Sequence, residues 1–227
     1  MAGDRPAPGG SPDASKVIAE AAKQALAPLG VKRKGRSRTW LDDHGWWVGV
    51  VEFQPSNWEI GAYLNVGLMF LWRPIDYFAF EIGYRVDDFS PASDADAFHR
   101  AIQAKAAKAR DEVTSLRERF ASVRGVIRHY QQARKKMAIT DHAHLGAAWG
   151  LTGDMERCRS SLDQALELRE QARSGAWRAS AWMLEARQAA TDEGTFRAWV
   201  QQTMNTTRAA LKLSSEPVEP PKGQDPG

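Results

Sequence analysis

Six polar residues alternate along three strand-like segments, and together they could build a ligand site. Glu52 and Gln54 share one side of segment 46–54, Tyr63 and Asn65 one side of 58–71, and Glu81 and Arg85 one side of 76–87. Two carboxylates, two amides, a phenol and a guanidinium converging on one surface can orient a small molecule or a peptide by hydrogen bonds. Gly61, Gly67 and Gly83 fall on the same sides. They would either leave room above this polar floor or admit a closely packed helix. A catalytic carboxylate on the floor is the enzymatic version of the same reading.

A second candidate is the basic segment "VKRKGRSRTW", residues 31–40. Lys34 and Arg36 flank Gly35, a composition that a phosphate- or nucleic-acid-binding loop could use. No Walker pattern accompanies it, and one glycine does not make a phosphate cradle. Read as an extended strand, the segment places Lys32, Lys34, Arg36, Arg38 and Trp40 on one side and Arg33 on the other. That pattern suits an edge strand, where basic side chains discourage unwanted pairing.

Other reactive residue types are scattered. There is no H-E-x-x-H, C-x-x-C, G-x-S-x-G or dinucleotide fingerprint. His142 and His144 stand two apart on an expected helix, so they point in different directions and make poor joint metal ligands. The single cysteine, Cys158, is expected to be buried and inert. Asp42-Asp43 and Asp87-Asp88 read as turn formers. No cofactor and no metal is expected.

The elements that must position these residues change character once along the chain. "SPDASKVIAEAAKQALAPLG" has an apolar stripe at Val17, Ile18, Ala21, Ala25 and Leu29, which predicts a first helix. Four strands follow, at 31–41, 46–54, 58–71 and 76–87, joined by short connections that imply an antiparallel meander. Five of the nine tryptophans lie between Trp40 and Trp72, as suits an aromatic-rich sheet. From residue 93 the period becomes helical. Ile102, Ala106, Ala109, Val113, Leu116, Phe120, Val123, Ile127 and Tyr130 form a heptad-like seam along one long helix, with Gly125 as its weak point. The expected class is α+β: an N-terminal helix packed on a four-stranded antiparallel sheet, then a long helix and a C-terminal helical bundle. Residues 13–91 would form the helix-plus-sheet region and 92–213 the helical region, with mobile Pro- and Gly-rich tails at 1–12 and 214–227.

Charge is uneven. The whole chain carries +3, but residues 100–136 hold eleven basic residues against three acidic ones. This helix is either a solvated face or a surface for an acidic partner or nucleic acid. Its seam would also serve a homodimer. Aromatics for base stacking are few there, since Phe120 and Tyr130 both lie on the seam. The N-terminus lacks a signal-peptide core, and one cysteine allows no intramolecular disulfide, so a cytoplasmic location is expected. No apolar run reaches the roughly 20 residues of a membrane span.

Two short resemblances add to this reading. "LAPLGVKRKGRSRTW", "VEFQPSNW" and "LNVGL" resemble the family called domain of unknown function 4304, over residues 14–90 or so. Lys34, Gly35, Arg36, Gln54, Ser56 and Asn65 fall on its pattern, and Val31 stands where that family usually has Phe. The resemblance implies no activity. Leu145, Gly146, Trp149, Cys158, Leu162 and Ala165, with a turn at Gly153-Asp154, resemble one tetratricopeptide-type helical hairpin near 139–168. One such hairpin is too little for a solenoid. Lacking catalytic motifs, the chain reads first as a binding or immunity-like accessory protein whose partner is another protein. Nucleic-acid binding comes second and an enzyme on the polar sheet face third.

Overall fold

The change of period near residue 93 marks the passage from sheet to helices. A computed structural model describes residues 12–56, 61–87, 89, 92–133, 136–172, 181–216 and 218–221. Helix α1 (Pro12–Leu26) leads into strands β1 (Lys32–Arg33), β2 (Thr39–Asp43), β3 (Trp47–Pro55), β4 (Ala62–Phe70) and β5 (Ile82–Asp87). Helices α2 (Ala95–Arg119), α3 (Val123–Gln131), α4 (Ile139–Leu151), α5 (Met155–Gln171), α6 (Ala181–Ala189) and α7 (Glu193–Ala210) follow. The strands form one antiparallel sheet in sequence order. The class is α+β. Contacts group the chain into two compact units, one from residues 1–69 and 78–116, the other from 70–77 and 117–227. No described helix is long and apolar enough to cross a membrane.

The sheet has five strands rather than four, because the expected strand 31–41 is a hairpin. Gly35 takes a left-handed φ of 55°, which a β-carbon resists. The Ser37 N–H and hydroxyl both donate to the Lys34 carbonyl, at 3.0 and 2.7 Å. Arg33 closes the turn by donating from Nε to the Ser37 carbonyl at 2.7 Å and from Nη2 to that of Arg36 at 3.1 Å. Register then pairs Arg33 with Trp40, and the guanidinium carbon sits 5.5 Å from the indole centroid. Arg33 and Trp40 therefore share a side, contrary to the single-strand reading.

The expected strand 76–87 is a strand only from Ile82. Residues 76–80 lie outside the strand, and Phe80 turns its ring onto Gly67 and Gly83, which face each other in the register. A β-carbon on Gly83 would lie 2.8 Å from the Gly67 Cα and 3.2 Å from Phe80 Cδ1. These glycines serve close strand approach and a covering ring, not an open floor. The start of the expected strand 58–71 falls at residues 57–60, outside the described residues. Gly61 precedes β4, its carbonyl accepting from the Ser56 N–H at 3.0 Å.

In the first unit, Ile18, Ala22 and Leu26 of α1 are wholly buried, as are Val51, Phe53, Leu64 and Leu68 of the sheet. Arg38 Nη2 donates to Ser15 Oγ at 3.0 Å and ties α1 to the hairpin. Asp87 Oδ2 accepts from Lys105 Nζ at 3.1 Å and Lys108 Nζ at 2.9 Å, tying α2 to β5. Lys105 is only 1% exposed. The basic helix is thus not wholly a solvated face. Its bond from Lys108, with Lys105 beside it, holds the Asp87 carboxyl below the usual carboxylate range.

In the second unit the expected long helix breaks after Arg119, and α3 begins at Val123. All nine seam residues are nevertheless buried. Gly125 is a point of close approach: a β-carbon there would collide with the Arg119 carbonyl oxygen. Helices α4 and α5 form a hairpin. Gly153 turns it at φ 85°, and the Asp154 carboxylate caps α5 by accepting from the Arg157 N–H at 3.0 Å. After α7 the described residues run back along that helix, with Gln201 Nε2 donating to the Val218 carbonyl at 2.6 Å and Arg197 Nη2 to that of Pro221 at 3.2 Å.

Candidate functional site

Alternation along β3 and β4 puts Glu52, Gln54 and Asn65 on one side of the sheet. The Asn65 amide Nδ2 donates to Glu52 Oε2 at 3.1 Å and to Gln54 Oε1 at 3.4 Å. Register aligns Arg85 with Asn65, and the Arg85 guanidinium lies 3.9 Å from the Tyr63 ring centroid. Five of the six expected floor residues are therefore brought together. The sixth, Glu81, stands just before β5, where its backbone N–H donates to the Leu68 carbonyl of β4 at 2.9 Å. Much of this patch is spent internally: the amide and carboxylate answer each other across β3 and β4.

The accessible chemistry lies at the adjoining end of the sheet. A groove of about 470 Å³ is lined by Ser15, Arg33, Arg36, Arg38, Glu52 and Gln54, among others. Register sets Thr39 opposite Glu52, which brings the arginine-bearing turn beside the polar patch. Three guanidiniums face one carboxylate, so the groove is net positive. Arg33 is pinned by its turn bonds and Arg38 by Ser15, while the Arg36 side chain is exposed at the tip. Lys34 lies outside the groove lining, its Nζ 4.3 Å from the Phe78 ring centroid. Of the hairpin residues expected at a site, Arg36 reaches the groove. Arg33 and Arg38 do so without having been singled out.

His144 and Cys158 are both buried. His144 Nδ1 accepts from Trp72 Nε1 at 3.1 Å, so the ring proton sits on Nε2. Its ring centroid lies 5.0 Å from that of Phe70 and 5.5 Å from that of Trp182. His142 remains half-buried elsewhere on α4. Among the described residues no group of three or more His, Cys, Asp or Glu could hold a metal ion. Burial pushes the Cys158 thiol up to about 12, which keeps it protonated.

Burial, with the Arg119 charge added, holds His129 below the ordinary imidazole value of 6.5, and burial does the same to His142. The unfolded chain then binds more protons as pH falls through and below that value. Stability from these residues is full above about pH 6.5 and declines as pH drops toward their folded pKa values. The melting temperature should therefore be lower near pH 5.5 than near pH 7.5. His129→Phe should reduce the difference. An equal or higher melting temperature at the acid value would contradict this assignment.

The chain matches no protein-family model, no curated protein and no solved structure.

Proposed function

We propose that this chain is a binding module and that the arginine groove takes a carboxylate-bearing segment of an acidic protein partner. One observation carries the reading: the β1–β2 turn and α1 hold three guanidiniums around a groove of peptide-binding size. Guanidinium forks match carboxylates with paired, charge-assisted bonds. Two of the three forks are already oriented by protein contacts, which lowers the ordering cost of binding. Glu52 and Gln54 line the groove beside the arginines and add acceptors for the partner's backbone N–H groups. The resemblance of the first unit to domain of unknown function 4304 brings no activity to this reading, and its Arg36 and Gln54 fall in the groove.

Nucleic-acid binding through residues 100–136 is less well supported. Lys105 and Lys108 are engaged by Asp87, and Phe120 and Tyr130 are buried, so neither ring is available for base stacking.

Anisotropy titrations separate the two. A labelled oligoglutamate peptide should bind the full chain. Arg36→Gln with Arg38→Gln should weaken it by about ten-fold or more for each charge-assisted bond lost. Labelled single-stranded and duplex DNA should bind no tighter than the roughly 10⁻⁴–10⁻⁶ M of non-specific contacts at physiological salt. Nanomolar DNA binding would move the function to nucleic acid. Peptide binding indifferent to both arginines would remove the groove from consideration.

A further inference from the structure

We infer that α7 carries a receptor face for proline-containing extended peptides, occupied in cis by the chain's own C-terminal segment. Arg197 Nη2 donates to the carbonyls of Pro220 and Pro221, at 3.1 and 3.2 Å. Gln201 Nε2 donates to the Val218 carbonyl at 2.6 Å, and Arg208 Nη2 to that of Ser214 at 3.1 Å. Every acceptor is a backbone carbonyl. These bonds read the path of the segment rather than its side chains, so another extended peptide can satisfy them.

Two of the donors are also bonded within the helical unit itself. Arg197 Nη1 is bonded to the Leu151 carbonyl at 3.2 Å, and Gln201 also reaches Asn205 Oδ1 at 3.0 Å. Their spacing fits an extended chain running antiparallel to the helix. Arg208 to Arg197 spans about 16 Å of helix. A polyproline chain rises about 3.1 Å per residue, so six residues cover about 19 Å. Proline favours that conformation and supplies no N–H, so its carbonyl is left for an outside donor.

The segment does not fill the face. A groove of about 330 Å³ remains where Asn205, Arg208 and Ala209 of α7 meet Leu213, Ser214 and Glu216. A partner peptide that keeps the carbonyl pattern and places a side chain there makes contacts the cis segment lacks. That difference gives the partner a way to displace it.

The probe is a labelled synthetic peptide of residues 214–227. It is titrated against the full chain, a chain ending at Leu213, and a full-length Val218→Gly, Pro220→Gly, Pro221→Gly variant. A tethered segment competes at millimolar effective concentration, so the full chain should bind the peptide about ten-fold or more weakly than the other two. Gln201→Ala in the truncated chain should weaken binding further. If truncation impairs folding, judged by circular dichroism, the glycine variant alone decides. Equal affinity for the full chain and the glycine variant overturns the proposal, as does failure of the folded glycine variant to bind. A concentration-dependent dimer of the full chain that the glycine substitutions abolish would also overturn it, by assigning the face to a second copy.

Discussion

Trp72→Ala should lower the unfolding free energy by about 4 kcal/mol, the middle of the range for a buried aromatic. Trp72 is wholly buried and stacks on Phe70 with centroids 4.6 Å apart and planes 7° from parallel. Its Nε1 supplies the donor that meets His144 Nδ1. Truncation therefore removes a large apolar surface, opens a cavity beside Phe70, and withdraws a hydrogen bond from a buried ring. Trp72→Phe keeps most of the surface and loses the bond, so about 1–3 kcal/mol is expected. Urea unfolding checks both. The midpoint should fall in that order with the slope unchanged, since a changed slope would signal loss of two-state behaviour. A loss under about 1 kcal/mol for the alanine variant would mean that the ring is not packed as described.

Burial was legible in the sequence to a greater degree than chain reversal. Each apolar seam residue from Ile102 to Tyr130 is buried, although the helix carrying them breaks after Arg119. Phe120, Ala121 and Ser122 contain neither Gly nor Pro, and the one nearby signal is Gly125, just inside α3, whose missing β-carbon admits the Arg119 carbonyl. Apolar spacing reports which side chains leave water. It is nearly blind to a short interruption that keeps the same side inward. The same blindness explains "KRKGRSRT", where alternation runs unbroken through a turn built on one glycine and the Ser37 hydroxyl. In 76–87 the alternating Phe78, Phe80 and Ile82 continue the pattern before the strand begins, because Phe80 packs on two glycines from outside the ladder.

The candidate sites divide along the same line. Glu52, Gln54 and Asn65 meet because strand parity and neighbour order suffice to bring them together. Arg33 and Arg38 reach the groove only once the hairpin folds and Ser15 of α1 arrives, two events that no single segment encodes. The contacts of the C-terminal segment are illegible for a different reason. Its Pro-rich composition removes N–H donors and core-forming side chains, so no apolar pattern marks them. Its carbonyls remain, and α7 supplies the donors from residues 197, 201 and 208, whose amphipathic pattern gives no hint of such a task.

Gly146→Leu separates helix propensity from packing and should destabilise the chain by about 3 kcal/mol, the upper end for an overpacked core position. Leu is the better helix former by nearly 1 kcal/mol, so propensity alone predicts a gain. Packing opposes it. A β-carbon at Gly146 would lie 2.9 Å from Leu162 Cγ and 3.1 Å from the Cys158 carbonyl oxygen, both on α5. Leu162 is itself wholly buried, and its Cγ is a branch point rather than a flexible end, so it has little room to yield. The backbone oxygen has less. Accommodating a full leucine means prising α4 from α5 along the contact that defines their hairpin. Alanine at the same position adds only the β-carbon and should cost less. A thermal melt of the three proteins gives the order glycine, alanine, leucine from most to least stable. A leucine variant that melts at or above the native temperature would show that the two helices do not meet at residue 146.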